Sequence, residues 1–138
     1  MRWRVGDVTV TRVVELTSDT IGNRILPQAP RDIDKTLPWL DPFTNDEGSL
    51  VMSFHSLVIE VRDETIVVDT CIGNGKKRNY PRWNLMQTSF LSDFADAGFD
   101  IATVQTILCT HMHIDHVGWN TRFVDGRWQP TFENARYL

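Results

Sequence analysis

The pattern of apolar and polar positions changes its period several times along the chain, and each change marks an element. Residues 5–14 alternate around Gly6 and Asp7, which predicts a hairpin or strand pair in the outer part of a sheet. Residues 17–48 lose the alternation and carry Pro27, Pro30, Pro38 and Pro42, so they read as a long irregular insertion with a short helix near Asp32 to Leu37. Insertions of that length are usually functional or mobile, and Trp39 and Phe43 are candidates for lining a pocket or anchoring the loop. Alternation returns over residues 50–61 and places Val51, His55, Leu57, Ile59 and Val61 on one face of a strand. Arg62, Asp63 and Glu64 turn the chain, and residues 65–69 return as a nearly continuous apolar strand, expected to be buried on both faces. Residues 71–87 form a loop with Gly73, Gly75 and Pro81; its Tyr80, Trp83 and Met86 suit an opening onto a small apolar substrate. Thr88 or Ser89 caps a helix with Phe90, Leu91, Phe94 and Ala97 on one side, and Gly98 stops it. Residues 101–109 lead into a buried strand with Val104, Ile107 and Leu108 as core. A hairpin turn follows at residues 124–128, and residues 135–138 begin another strand.

The last buried strand runs directly into Thr110-His111-Met112-His113-Ile114-Asp115-His116-Val117-Gly118-Trp119, which holds three of the four histidines and a carboxylate. Neutral imidazole suits zinc and other late first-row metals, and a carboxylate beside it takes a second metal or holds a water. In extended backbone, residues two apart point the same way, so His111 and His113 can reach one ion together. A turn into helix after them would carry Asp115 and His116 toward a neighbouring point. Gly118 reads as a position where backbone lies close to metal or substrate. His55, a single histidine on an apolar face, is more often a packing residue than a ligand and stays outside this set.

The H-x-H-x-D-H pattern of His111, His113, Asp115 and His116 resembles the signature of the metallo-β-lactamase superfamily of hydrolases. Ile66-Val67-Val68-Asp69-Thr70 is similar to the strand and Asp-Thr-Gly-like turn found upstream of that signature, with Cys71 where glycine is common. The wider stretches Asp69 to Asn74 and His116 to Asn120 look like the branch of lactonases and organophosphate-hydrolase-like enzymes. The resemblance implies an α+β fold: the first half of an αββα sandwich, with a mixed sheet and flanking helices. It implies two zinc ions in the complete protein, with His111 and His113 on one, and Asp115 and His116 on the other. Asp115 would also orient or deprotonate the water, and a metal-held hydroxide would attack a lactone or ester first, a phosphotriester second, a β-lactam or thioester after those. Asp69 would lie beside the site and hold a ligand histidine by its other ring nitrogen.

Family members are about twice this long and take further ligands from later segments, whereas Asp125 and Glu133 are the acidic residues after His116 and no histidine follows it. The chain therefore reads as one partial domain over residues 1–138, lacking a carboxyl-terminal half. Four ligands are too few for two catalytic zincs, which normally take three protein ligands each. An alternative reading follows: taken alone, the chain is an inactive fragment or an interaction module whose open sheet edge and apolar face invite self-association.

Composition narrows the partners. Fourteen basic against eighteen acidic residues leave a charge of -4, which argues against a nucleic-acid surface, and Lys76-Lys77-Arg78 reads as a solvated loop. No window approaches a membrane span, and the amino terminus lacks an apolar signal core. Cys71 and Cys109 are too few and too far apart for a disulfide framework. The expectation is a cytoplasmic enzyme acting on a small molecule.

Overall fold

The expected alternations appear as paired strands in a computed structural model of the chain, which describes residues 1–28 and 37–138. Arg2–Val5 (β1) and Val8–Ser18 (β2) form an antiparallel hairpin in which Val5 faces Val8 across Gly6 and Asp7. Gly6 has φ +61, the left-handed conformation that a tight hairpin turn demands and glycine tolerates. Met52–Val61 (β3) and Glu64–Val68 (β4) form a second antiparallel pair, turning at Arg62 with φ 53. Thr106–Leu108 (β5) lies parallel to β4. Thr121–Val124 (β6) and Arg127–Pro130 (β7) make a separate antiparallel ribbon. Arg136–Tyr137 (β8), the strand expected at the end of the chain, pairs parallel with β5. The main sheet is mixed, in the order β1-β2-β3-β4-β5-β8, so the first hairpin does supply an outer strand.

The chain forms two compact units, one of Met1–Glu15 with Phe54–Leu138 and the other Leu16–Ser53. In the second unit Gly22–Ile25 makes one helical turn (α1), and Pro38–Phe43 makes a 3-10 turn. Asn45 Oδ1 accepts from the backbone N–H groups of Glu47 and Ser49, closing a turn before the Thr44–Leu50 bridge. Trp39 and Phe43 are exposed, so neither is a buried anchor. The helix expected near Asp32 to Leu37 lies outside the described residues.

In the first unit the core lies between one face of the sheet and Phe90–Asp96 (α2). Phe90 and Phe94 are fully buried, each contributing about 1.5–3 kcal/mol. Trp119 stacks on Phe90 at 5.6 Å between ring centroids, and Phe132 meets Phe94 edge-on at 5.8 Å. Gly98, at φ +95, ends α2 as expected. Ser89 occupies the N-cap position, yet its hydroxyl donates to Asp93 Oδ2 rather than capping the backbone.

Several expectations need correction. On β3 His55, Leu57 and Ile59 do share one face, as expected, but that face is only half-buried and the buried set is Phe54, Ser56 and Val58 on the other. Both faces of β3 are apolar enough that alternation identifies two faces without saying which one meets α2. Leu108 is 39% exposed and Val67 alone of β4 is fully buried, so that strand too is covered on one face only. Trp83 is buried edge-on against Phe54, a core contact rather than the lining of an opening. Of the expected flanking helices the described residues hold one, α2. Among the described residues α2 is the one α-helix longer than a single turn, because no other stretch sustains a 3.6-residue apolar period. None of their helices is long and apolar enough to cross a membrane.

The β6–β7 ribbon turns through Asp125 and Gly126, both at positive φ, the pair of conformations typical of a two-residue hairpin. Half-buried Lys76 docks on this ribbon. Its Nζ donates to the carbonyl and hydroxyl of Thr121 and lies 3.8 Å from the centre of the Trp128 ring. Burial, with Arg78 as a smaller cause, pulls the ammonium down to about 8 from 10.5. Across that window the unfolded chain holds more protons at Lys76 than the folded one, so the Lys76 contribution to stability rises with pH. The buried Cys71 thiol opposes it above about pH 9, so the test is a difference: between about pH 8 and pH 9 the urea midpoint of the wild type is expected to rise relative to that of Lys76→Gln, and a constant difference would contradict it.

Candidate metal centre

The parallel pairing of β4 and β5 sets Val68 beside Leu108, and Asp69 N donates to the Leu108 carbonyl at 2.9 Å. Two segments far apart in sequence thus leave the carboxyl ends of adjacent strands together. Loops at such ends carry function on a rigid support. Asp69 has φ 56 and Cys71 φ 51. Aspartate tolerates the left-handed region, but at Cys71, where the family commonly has glycine, it costs about 1–2 kcal/mol. The Cys71 side chain is fully buried, and burial pushes its thiol well up, so it is a packing group and not a nucleophile.

Three short backbone hydrogen bonds lace this turn to the histidine segment: Thr70 N to His116 O, Gly118 N to Cys71 O, and Trp119 N to Thr70 O, each 2.7 Å. Gly118 is where the two strands of backbone touch, since a Cβ there would stand 1.9 Å from Ile72 C and O. The close approach expected at Gly118 is therefore to the Ile72–Gly73 backbone.

The Asp69 carboxylate accepts from Thr110 N (2.8 Å), from the Thr110 hydroxyl (2.8 Å to Oδ2) and from His116 Nδ1 (2.8 Å). Burial alone would push Asp69 up; the hydrogen bonds from His116 and Thr110 overcome it and hold the carboxyl below its ordinary value. An ionised carboxylate only accepts, so the single Thr110 hydroxyl proton points at Asp69. The same oxygen, 3.0 Å from His111 Nδ1, must then accept from that ring. One carboxylate thereby places Nδ1–H on both His116 and His111 and leaves both Nε2 atoms as lone-pair donors. His111 Nε2 faces His113 Nδ1 at 3.0 Å, and His116 Nε2 faces Asp115 Oδ2 at 3.5 Å. The turn that carries the second pair is closed by His116 N donating to His113 O. The His111 and His116 rings lie 3.9 Å apart.

Two donors bound to one tetrahedral zinc at 2.0–2.1 Å stand about 3.3 Å apart, so both separations are close to the bite of a single ion. The donor types fit zinc as well. Among the described residues, however, no three His, Cys, Asp or Glu side chains are grouped to hold one ion. The structure brings the four candidate ligands together as two pairs, not as a completed site. His111, Met112, His113 and Ile114 are exposed, and a cavity of about 360 Å³ in this unit is lined by Gly75, Trp119, Arg122 and Phe123 among others, without a histidine.

Sequence reasoning missed Thr110 as the link between Asp69 and His111, and missed Glu15 altogether. A signal for Glu15 existed: it continues the inward register of Thr11 and Val13 on β2, where an acidic residue is out of place. Asp69→Asn keeps the shape but loses the charge that organises both rings. It is expected to cost about 1.5–3 kcal/mol in denaturant unfolding, and zinc affinity in competition titrations should fall about 10–100-fold. Wild-type values for both would remove Asp69 from the site.

The model of the metallo-β-lactamase superfamily matches residues 53–138, more than half of the chain. The chain belongs to that superfamily. No functionally curated protein matched it. Among solved structures it is similar to a probable metal-dependent hydrolase from Staphylococcus aureus, at 20% identity and TM-score 0.65, covering 98% of this chain and 47% of that one. It is also similar to the hydrolase AbOPH of the β-lactamase superfamily, at 25% identity and TM-score 0.65, covering 99% and 42%. A third is AidC, a dizinc quorum-quenching lactonase in complex with a product, at 16% identity and TM-score 0.66, covering 99% and 43%. The chain spans less than half the length of these structures, so its fold is part of theirs.

Proposed function

We propose that the whole protein is a zinc-dependent hydrolase of small carbonyl or phosphoryl substrates, with His111 and His113 holding one ion and Asp115 and His116 a second. The observation that carries this reading is the Asp69 network, which occupies Nδ1 of two imidazoles and turns each Nε2 toward another donor. Zinc, when bound, supplies a Lewis acid that brings a water's proton affinity near neutrality and takes up charge from an oxyanion. The chain's own residues supply orientation. Thr110 and Asp69 hold the rings, and Asp115, half-buried beside His116, is the carboxylate placed to orient a water or take its proton. Exposed Met112 and Ile114 flank the ligands and offer apolar contact to a substrate. Likeness to a lactonase supports a lactone or ester first, and the resemblance of residues 69–74 and 116–120 to the organophosphate-hydrolase-like branch supports a phosphotriester second.

For the 138-residue chain by itself the grouping of ligands in pairs favours a second reading, an inactive partial domain. Zinc per chain by plasma mass spectrometry after dialysis against metal-free buffer, with lactone and aryl phosphotriester turnover on the same sample, separates the two. The whole protein is expected to hold about two zinc ions and to lose turnover on chelation. Full activity in metal-free protein would sink the hydrolase reading, and near two zinc on the 138-residue chain would sink the second.

A further inference from the structure

Glu15 is a buried carboxylate, 7% exposed, at the inward face of β2. It collects four donors, all neutral: Ile72 N at 2.7 Å on Oε2, and on Oε1 Trp119 Nε1 at 2.7 Å, Gly73 N at 3.1 Å and the Thr88 hydroxyl at 3.1 Å. A buried carboxylate is costly unless hydrogen-bonded, and here both oxygens accept, with the Thr88 hydroxyl proton shared with Asn74 Oδ1 at 3.1 Å. Thr88 stands before α2, and the other three donors come from two places linked to the histidine cluster. Ile72 and Gly73 follow the turn that starts at Asp69, and Trp119 follows His116 by three residues. Between these attachment points run the three 2.7 Å backbone bonds and the contact of Gly118 with Ile72. The turn itself holds left-handed backbone at Asp69, Cys71 and Gly73, a conformation that persists only where surroundings over-determine it. A carboxylate alone among side chains can accept at both ends at once. Glutamine in its place would turn an amide N–H₂ toward one or more of these N–H donors.

We propose that Glu15 is the positioning residue of the cluster: it clamps residues 72 and 73 to residue 119 and so sets the distance at which Asp69 meets His116. Its consequence for catalysis rests on the hydrolase reading, but its geometry does not. Removing the clamp frees the 69–73 turn, lengthens the Asp69–His116 contact and releases the His116 ring from its single tautomer.

The test is the ring-nitrogen NMR spectrum of His116 in the metal-free, full 138-residue chain, which reports the Nδ1–H tautomer directly. In Glu15→Gln the spectrum is expected to move toward the two-tautomer average of a free imidazole, with Nδ1–H exchanging with solvent at least about tenfold faster. Val13→Ala, on the same strand and buried in the same core, is the structural control: it should lower the unfolding midpoint and leave the His116 signals in place. Unchanged His116 signals in folded Glu15→Gln would overturn the proposal, as would an equal change in Val13→Ala. If Glu15→Gln does not fold, the pair Thr88→Val with Trp119→Phe removes two of the four donors and should shift His116 in the same direction; no shift overturns it. A cobalt(II) titration of the wild-type whole protein fails separately if the metal reading is wrong, and leaves the tautomer result standing.

Discussion

Gly118→Ala should lose more than about 3 kcal/mol of folding stability, beyond the usual cost of overpacking. The added Cβ would stand 1.9 Å from the carbonyl carbon and oxygen of Ile72 and 2.5 Å from Gly73 N. These are backbone atoms, so no side-chain rotation relieves the clash. Gly73, at φ +81, lies on the other side of the same contact, where a Cβ would stand 2.6 Å from the carbonyl carbon and oxygen of Gly118. Separating the segments breaks the bonds from Gly118 N to Cys71 O and from Trp119 N to Thr70 O, and pulls the Trp119 indole from Glu15. The comparison is Gly126→Ala in the β6–β7 turn, where φ is +80 but nothing lies within 4 Å of the added atom. That variant should cost about 1–2 kcal/mol, the conformational penalty alone. Urea unfolding of both variants checks the contrast; if Gly118→Ala costs no more than Gly126→Ala, the close approach is not what fixes the loop.

Gly118 also shows how far the sequence could be read. That a glycine after H-x-H-x-D-H admits close backbone follows from its missing Cβ, but which backbone comes close depends on the pairing of β4 with β5, and that is a tertiary fact. The β1–β2 and β3–β4 hairpins, α2 with its glycine stop and the β6–β7 turn were legible because local period and turn chemistry agree with the fold at those places. The burial of Val58 rather than Leu57 was not legible. Both faces of β3 are apolar, so a period of two leaves the choice to whichever face α2 covers. Leu108 was misplaced for the same reason, at the end of a short strand covered on one side. At the candidate site, the ligand types and the shared direction of His111 and His113 could be read from spacing. The hub could not: Glu15 lies 104 residues from Trp119, and only the folded sheet brings them together.

His113→Ala separates the site from the fold in the opposite sense to Gly118. His113 is exposed, and its ring contact is His111, at 3.0 Å between nitrogens. Away from buried contacts a substitution changes stability by about 0.5 kcal/mol or less, so the unfolding midpoint should stay near that of the wild type. With His111 Nε2 left as a lone pair, the proton between the two rings lies on His113 Nδ1, and a metal ion held there would shift it to the other nitrogen of that ring. Without His113 the first pair becomes a single imidazole. Removing a carboxylate that only supports a ligand costs 10–100-fold in affinity, so losing the ligand itself should cost more than about 100-fold in zinc affinity and in turnover of the whole protein. His55→Gln, on the half-buried face of β3, should leave zinc affinity unchanged. Wild-type zinc affinity in His113→Ala would take His113 out of the metal set, and a matching loss in His55→Gln would show that the effect is general to histidine removal rather than to this pair.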